Sequence, residues 1–311
     1  MSPEGRPANL AASLRARLLE ASRRRGVEFQ LILAEFAIER LLYRLGISRF
    51  ADRFVLKGAM LFKIWSDVRG RATWDLDLLG RGASEVGAVA AVVHEICSIA
   101  VDDGIAFDLG ALAAEPIRAA DEYAGVRVRL QAGLAEARIP LQIDVGFGDA
   151  VVPAPVLSTY PTILDQPAPR ILAYPREAVV AEKLEAMLSL GVTNSRIKDF
   201  HDVHVLAGTF GFDGPLLVSA IRATFERRKM PWPEGVPLVL TQAFLASPEQ
   251  QVHWRAFLRR GRLDASPDAA VIAGRLQQFL MPPLIAAAQG TDFDATWPGG
   301  GPWRVRTRLD A

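Results

Sequence analysis

Cysteine and long apolar runs are both scarce in this chain of 311 residues. The single cysteine, Cys97, excludes a disulfide framework and a cysteine-rich zinc site. No apolar run reaches the roughly 18 residues that a membrane span requires, and the opening segment lacks the pattern of a secretory signal. We therefore expect a cytoplasmic protein with no membrane partner.

An excess of charge of one sign is also missing, because 36 basic and 35 acidic residues give a formal net charge of +1. Any binding of nucleic acid must then come from local basic clusters. The length predicts about two domains, each able to bury its own core. A proline-rich stretch over 151–169 reads as a linker, so we expect one domain over 1–155 and a mainly helical domain over 156–311.

Lysine is rare, since 31 of the 36 basic residues are arginine. Codon bias alone can produce this scarcity. A chain that uses arginine almost everywhere can also keep lysine where a compact ammonium is needed, so the positions become informative if they fall in motifs. The five lysines are Lys57, Lys63, Lys183, Lys198 and Lys229.

Apolar periodicity and turn residues predict the order of the elements. In the first half we expect helices over 10–25, 27–45, 59–65 and 84–101, and strands over 54–56, 72–80, 105–109, 126–130 and 140–147. In the second half we expect helices over 175–190, 196–207, 216–228, 249–260 and 269–288, followed by an irregular tail that includes WPGGGPWR.

A pair of acidic residues in the second strand suggests chemistry. Asp75 and Asp77 alternate with apolar residues, so both project from one face. Such carboxylates repel unless a cation lies between them, and hard oxygen ligands suit Mg²⁺ or Mn²⁺. Asp144 on a later strand offers a third ligand, and Gly58 at a strand-to-helix turn offers backbone N–H groups to a polyphosphate. Together they favour phosphoryl or nucleotidyl transfer, whereas the pair alone also fits a solvated strand face.

Four separated segments carry a family resemblance: FVLKGAML, RATWDLDLLG, LQIDVGFGD and YPREAVVAEKLEAMLSLGVTNSRIKDFHDV. In this order they resemble the nucleotidyltransferases of the AbiEii/AbiGii toxin family, relatives of the MenT toxins in the DNA polymerase β superfamily. The resemblance extends from about Val27 into the final third of the chain. It implies an α+β fold, with a polymerase-β-like core of mixed sheet and helices and a helical C-terminal lobe that completes the active site.

The resemblance also implies roles for particular residues. Asp75 and Asp77 would be the catalytic metal carboxylates and Asp144 the third acid, while Lys183 and Asp199 would complete the nucleotide site. Phosphate contacts would come from Lys57, Gly58, Ala59, Arg71 and Lys183. Ala59 departs from the family, which usually has Gly or Ser there, so a hydroxyl contact is lost.

Two of these assignments have alternatives. Arg71 could pair with a phosphate or with the acids themselves. Arg196, Asp199 and Asp202 share one helix face and would alone suggest an ion-pair ladder worth a few tenths of a kcal/mol. With the resemblance, Asp199 is assigned to function and Asp202 to its support.

Histidine and arginine clusters have ordinary interpretations as well. His201 and His204 lie three apart without an obvious third ligand, so we expect partly buried helix residues rather than a metal site. The basic clusters read as solvated helix faces or, if the substrate is RNA, as its binding surface. They are Arg15, Arg17 and Arg23 to Arg25; Arg227, Arg228 and Lys229; and Arg255, Arg259, Arg260 and Arg262.

The predicted function is that of a Mg²⁺-dependent nucleotidyltransferase toxin with a cognate antitoxin. It would move a nucleoside monophosphate from an NTP to an acceptor hydroxyl, with the tRNA 3′ end as the expected acceptor. One alternative keeps the chemistry but uses a small molecule or a protein hydroxyl. The other is a catalytically degenerate nucleotide-binding module, for which Ala59 is the only support.

Overall fold

The computed structural model describes residues 6–65, 74–117, 125–261 and 268–306. The chain divides into two compact units. The first comprises Met1–Gly148 with Val156–Ala173, and the second comprises Asp149–Pro155 with Tyr174–Ala311. This division differs from the predicted boundary after residue 155, because Val156–Ala173, which includes most of the proline-rich stretch, joins the first unit.

The first unit combines helices with a seven-stranded sheet. Its helices are α1 (Arg6–Arg25), α2 (Phe29–Ile47), α3 (Leu61–Trp65) and α4 (Val86–Cys97). Its strands are β1 (Phe54–Lys57), β2 (Asp75–Gly80), β3 (Ile105–Ile117), β4 (Gly125–Leu134), β5 (Ala137–Phe147), β6 (Val156–Thr159) and β7 (Arg170–Ala173).

The sheet is mixed, with the order β3-β4-β5-β2-β1-β7-β6. Strand β2 pairs in parallel with β5, and β1 in parallel with β7, whereas the remaining neighbours are antiparallel. The apolar residues of β4 and β5 alternate as predicted, and helix α2 packs against β5 and β7. The predicted α+β class with a mixed sheet is confirmed.

Helix α2 brings charged side chains into the core of this unit. Arg44 donates hydrogen bonds to Asp103 from Nη1 at 2.6 Å and from Nη2 at 3.1 Å, and both residues are buried. Its neighbour Arg40 pairs with Glu39 at 2.8 Å, and burial raises the pKa of Glu39. Buried charges of this kind require such partners, and the pair of Arg44 with Asp103 fixes α2 to a segment outside the helix.

The proline-rich stretch is not merely a linker. Strand β6 lies within it and pairs with β7, which in turn pairs with β1. The prediction of a linker or strap over 151–169 was wrong for this part, because proline content does not show that a short neighbouring segment pairs with a distant strand.

The second unit is mainly helical, as predicted. Its helices are α5 (Arg176–Leu190), α6 (Ile197–Thr209), α7 (Gly214–Arg227), α8 (Gln242–Leu245), α9 (Pro248–Gly261) and α10 (Ala269–Gln289). Three short strands, β8 (Phe212–Asp213), β9 (Ala295–Trp297) and β10 (Arg304–Val305), form a second sheet in the order β10-β9-β8.

This small sheet corrects the expectation of an irregular tail. Trp297 is buried, and its Nε1 donates to the carbonyl oxygen of Ala207 at 2.7 Å. Trp303 stacks on Phe279 with 5.9 Å between ring centroids, and its Nε1 donates to the carbonyl oxygen of the same phenylalanine at 2.9 Å. The glycines and prolines of WPGGGPWR suggested an irregular tail, but the two tryptophans that flank them anchor the segment.

Among the helices that the structure describes, none is both long enough and apolar enough to cross a bilayer.

Candidate functional site

A row of charged side chains crosses five strands of the large sheet. Strand register places Glu115 of β3 opposite Arg127 of β4, and Arg127 opposite Asp144 of β5. Asp144 lies opposite Asp77 of β2, which lies opposite Lys57 of β1. Directly opposed residues project from the same face of a sheet, so these five residues, called here the charged row, share one face.

The order of signs along the charged row is informative. Charges alternate from Glu115 through Arg127 to Asp144 and again from Asp77 to Lys57. The alternation fails at a single step, where the carboxylates of Asp144 and Asp77 are neighbours. Like charges directly opposite one another are destabilising unless a cation compensates them.

Asp75 adds a third carboxylate to this face. It lies two residues before Asp77 on β2, opposite Gln142 of β5, and it is exposed where Asp77 is half-buried. The intervening Leu76 is buried on the opposite face, where it lines a small apolar cavity together with residues of α2 and α4. The period of two in β2 therefore separates core from carboxylates, as predicted.

Gly58 brings the backbone close to the acidic pair. It follows β1 with φ +75°, and a Cβ atom at this position would overlap the Asp77 carboxylate and lie 2.8 Å from its Cβ and Cγ. Glycine is thus needed for both conformation and space. Ala59, the next residue, is buried, so its methyl group belongs to the core.

Asp144 is held by a neighbouring arginine that the sequence analysis did not single out. Nε of Arg127 donates to Oδ1 of Asp144 at 2.8 Å, and Nη2 donates to Oδ2 at 2.7 Å. Nε2 of Gln142 donates to the same Oδ2 at 3.3 Å. The hydrogen bonds to Asp144 raise the pKa of Arg127. The alternation of apolar residues in β4 puts Arg127 on the polar face, but only the strand register shows which carboxylate it meets.

These carboxylates do not form a complete metal site by themselves. Across the described ranges, no group of three or more His, Cys, Asp or Glu side chains is arranged to hold a metal ion. Asp144 differs from the predicted third ligand in that both of its oxygens accept from Arg127. Asp75 and Asp77 still fit the chemistry of Mg²⁺, which proteins commonly hold through one or two carboxylates together with substrate phosphates. Arg71 lies outside the described residues.

A second cluster lies in the other unit, where Lys183 of α5 meets α6. Its Nζ donates to Asp199 Oδ1 and to Asp202 Oδ2, both at 2.8 Å. The side chains of Asp199 and Asp202 are only 1% and 3% exposed. Burial alone would lower the pKa of Lys183, but Asp202 and Asp199 outweigh it, so that the pKa is raised.

The ion-pair ladder considered for α6 is present only in part. Nε of Arg196 lies 2.9 Å from Oδ2 of Asp199, whereas Asp202 faces Lys183 of the neighbouring helix. His201 lies 3.4 Å from Asp202, and the buried His204 lies 3.2 Å from Arg275. Burial and the charge of Arg275 lower the pKa of His204 to about 4, which fits a packed helix residue.

Arg228 shows a role that sequence reasoning missed. It was grouped with a solvated basic cluster, but its guanidinium pairs with Glu185, lies 3.1 Å from Asp149 and lies 3.9 Å from Glu182. These acids raise the pKa of Arg228. No local signal could have revealed this cluster, because Asp149 is 79 residues away in the chain.

The predicted site residues therefore fall into two groups. Asp75, Asp77, Asp144, Lys57 and Gly58 come together on the first unit. Lys183 and Asp199 come together on the second.

Comparison with known proteins gives a family and two distant structural neighbours. JHP933 from Helicobacter pylori shares 14% identity over 85% of this chain and 94% of its own, with a TM-score of 0.47. A candidate nucleotidyltransferase from H. pylori shares 15% identity over 85% of this chain and 97% of its own, with a TM-score of 0.45. Among curated proteins, none matches the sequence. Residues 40–281 match the model of a protein family described as nucleotidyl transferase AbiEii toxin, type IV toxin–antitoxin system. Because this match covers most of the chain, the chain belongs to that family.

Proposed function

We propose that this nucleotidyltransferase toxin depends on Mg²⁺ and moves a nucleoside monophosphate from an NTP to the 3′ end of tRNA in the cytoplasm, under the control of a cognate antitoxin. The observation that carries the chemistry is the placement of Asp75 and Asp77 on one sheet face, with Asp144 opposite Asp77 in register. The family description supports the toxin role and the existence of an antitoxin.

Asp75 and Asp77 are the residues that would hold the divalent cation. When bound, the cation would supply positive charge that stabilises the negative charge of the phosphates. Two protein carboxylates suffice, because Mg²⁺ retains waters and takes further oxygens from substrate phosphates.

The transfer is a substitution at the α-phosphorus of the NTP. The acceptor hydroxyl oxygen forms the new bond, the bond to pyrophosphate breaks, and a carboxylate of this face polarises the hydroxyl and takes its proton. Lys57 and the backbone of Gly58 and Ala59 would contact the phosphates. Since the methyl group of Ala59 is buried, this residue can contribute only its backbone N–H.

Lys183 and Asp199 are assigned to nucleotide binding, with Asp202 in support. Their buried contacts give them a structural role as well, since the ammonium of Lys183 is shared between two carboxylates. An ammonium has three N–H groups, and two of those on Lys183 donate to Asp199 and Asp202. The third could donate to a phosphate.

A labelling experiment tests the proposal. The purified protein is incubated with Mg²⁺, total RNA and each α-³²P-labelled NTP in turn, and the products are separated on a gel. We expect label in RNA of tRNA size with the wild-type protein. Asp75→Asn and Asp77→Asn should each abolish labelling while the protein stays folded, because removing one of two repelling charges relieves repulsion.

Asp102→Asn provides the matched control, because it removes one exposed carboxylate of the same unit away from the site. It should label RNA as the wild type does. Wild-type turnover by either site variant would contradict the metal assignment. Label that enters a small molecule or a protein instead of RNA would replace the proposed acceptor.

A further inference from the structure

Asp144 of the charged row is engaged by two neighbouring side chains. Three hydrogen bonds end on it, two from Arg127 and one from Gln142. The bidentate geometry with distances of 2.8 and 2.7 Å is the strongest form of arginine–carboxylate contact. Arg127 thus already neutralises the negative charge of Asp144, which would otherwise be available to bind a divalent cation.

A cation that recruited Asp144 would compete with the guanidinium for the same oxygens. Without that ligand, the protein offers the cation the two carboxylates of β2, with Lys57 opposite one of them. Because Arg127 neutralises Asp144 on one side and Lys57 lies opposite Asp77 on the other, less negative charge is left to attract a free cation. A nucleotide triphosphate changes this balance, because it brings several negative charges and oxygen ligands of its own.

We infer that Arg127 is a resident counter-ion of Asp144, so that the site takes its divalent cation together with the nucleotide and not before it. Arg127 is then a positioning residue that sets the order of binding. The guanidinium that keeps Asp144 occupied is also suited to a phosphate oxygen once the nucleotide arrives. The inference rests on the proposed function, because it takes Asp75 and Asp77 as the cation-binding residues.

The test measures Mn²⁺ binding in the absence of nucleotide, by calorimetry or by the paramagnetic resonance signal of free Mn²⁺. Wild-type protein should bind weakly. Arg127→Gln should bind at least about tenfold more tightly, because a carboxylate becomes available and a positive charge disappears. Circular dichroism verifies that both proteins are folded.

Arg129→Gln is the matched control for the loss of charge. Arg129 lies two residues along β4 on the same face, but its guanidinium pairs with Glu115 at 2.7 Å. It should leave Mn²⁺ affinity within about twofold of the wild type, since no carboxylate of the proposed site is released. An equal gain for both variants would overturn the inference, because it would show a general effect of charge.

Asp144→Asn completes a double-mutant cycle. In the wild-type background it should weaken Mn²⁺ binding only slightly, because Arg127 already occupies the carboxylate and only the compensation of its charge is lost. In the Arg127→Gln background it should cancel the gain. Equal affinity of wild type and Arg127→Gln, or a large loss from Asp144→Asn in the wild-type background, would overturn the inference.

A further variant and the labelling assay distinguish failure of the inference about Arg127 from failure of the proposed function. Arg127→Lys retains the charge but loses the bidentate contact, so it should bind Mn²⁺ with intermediate affinity and serves if the glutamine variant does not fold. RNA labelling without any gain in Mn²⁺ affinity would refute the inference and leave the function standing. A gain in affinity without labelling of any acceptor would refute the function and leave the role of Arg127 standing.

Discussion

Gly58 is required for two reasons, its backbone conformation and its close approach to Asp77. Its φ of +75° is rarely adopted by other residues, and the space where a side chain would begin is filled by the Asp77 carboxylate. The position of Asp77 therefore depends on a residue that carries no functional group. The same geometry explains why the glycine precedes Ala59 in a turn and cannot exchange places with it.

Replacement of this glycine is expected to disable the site. Gly58→Ala would push the Asp77 carboxylate aside, and a displacement of about 1 Å can reduce turnover about a hundredfold. The labelling assay measures turnover, and circular dichroism monitors the fold. Gly82→Ala is the matched control, because Gly82 has a φ of +82° with nothing within 4 Å of the added Cβ. If both variants lost the same amount of turnover, the cause would be backbone strain and not displacement of Asp77.

At the scale of elements, helices α5 and α6 are tied together by Lys183. Its contacts to Asp199 and Asp202 span two helices, and both carboxylates are almost fully buried. A buried charge that loses its partner is strongly destabilising. The periodicity of α6 predicted that its acids share a face, but it could not show that the opposite charge comes from another helix.

Lys183 variants separate the structural contribution from nucleotide binding. Lys183→Met should lower the free energy of unfolding by about 3–5 kcal/mol, because two buried carboxylates lose the ammonium that they share and Asp199 keeps only Arg196. Lys183→Arg retains the charge, so it should fold but lose kcat/KM for the NTP, since a planar fork does not replace a compact ammonium. Urea denaturation and NTP titration in the labelling assay provide the two measurements.

Lys63→Met is the control for the loss of stability. Lys63 pairs with Glu35 at 2.7 Å and is 28% exposed, against 14% for Lys183, so its removal should cost less. Unchanged stability and NTP kinetics in both Lys183 variants would show that neither assigned role is correct.

At the scale of the whole molecule, a net charge of +1 provides no general attraction for RNA. The exposed arginines of α9 and α1 are the local candidates, whereas Arg228 is withdrawn from solvent by its acidic partners. In α9 the structure describes the side chains of Arg255 and Arg259, both exposed, and places Trp254 in the core. Arg260 and Arg262, from the same predicted cluster, lie outside the described side chains.

Binding of tRNA should therefore depend steeply on salt. A plot of log K against log[salt] should have a slope of about −3 to −6, which reflects the phosphates neutralised. Charge reversal at both Arg255 and Arg259 should make the slope shallower by about two and leave NTP binding unchanged. Filter binding at several salt concentrations measures both quantities.

The same reversal at Arg23 and Arg24 of α1 controls for a change in total charge, because both are exposed. Equal effects of the two double variants would show that α9 has no special role. A flat salt dependence would remove tRNA as the acceptor.

The sequence by itself determined the local features of this protein. A period of two in β2 fixes which residues face the core, so it places Asp75 and Asp77 together before any strand order is known. Helical periodicity likewise predicts α1, α2, α5, α6 and α10 close to their observed bounds. These properties depend on residues within a few positions of one another, and for that reason they can be read from the chain.

Only the tertiary structure decided which elements meet. Asp144 and Asp77 are 67 residues apart in the chain, and they lie side by side because β5 pairs in parallel with β2. The contact of Arg127 with Asp144, the three acids around Arg228 and the pairing of β7 with β1 are of the same kind. Strand order and register are selected by the combined burial of all elements, and a shift of one residue would turn every side chain to the other face. The local pattern therefore predicts which carboxylates share a face, whereas the packing of distant segments determines which residues lie beside them.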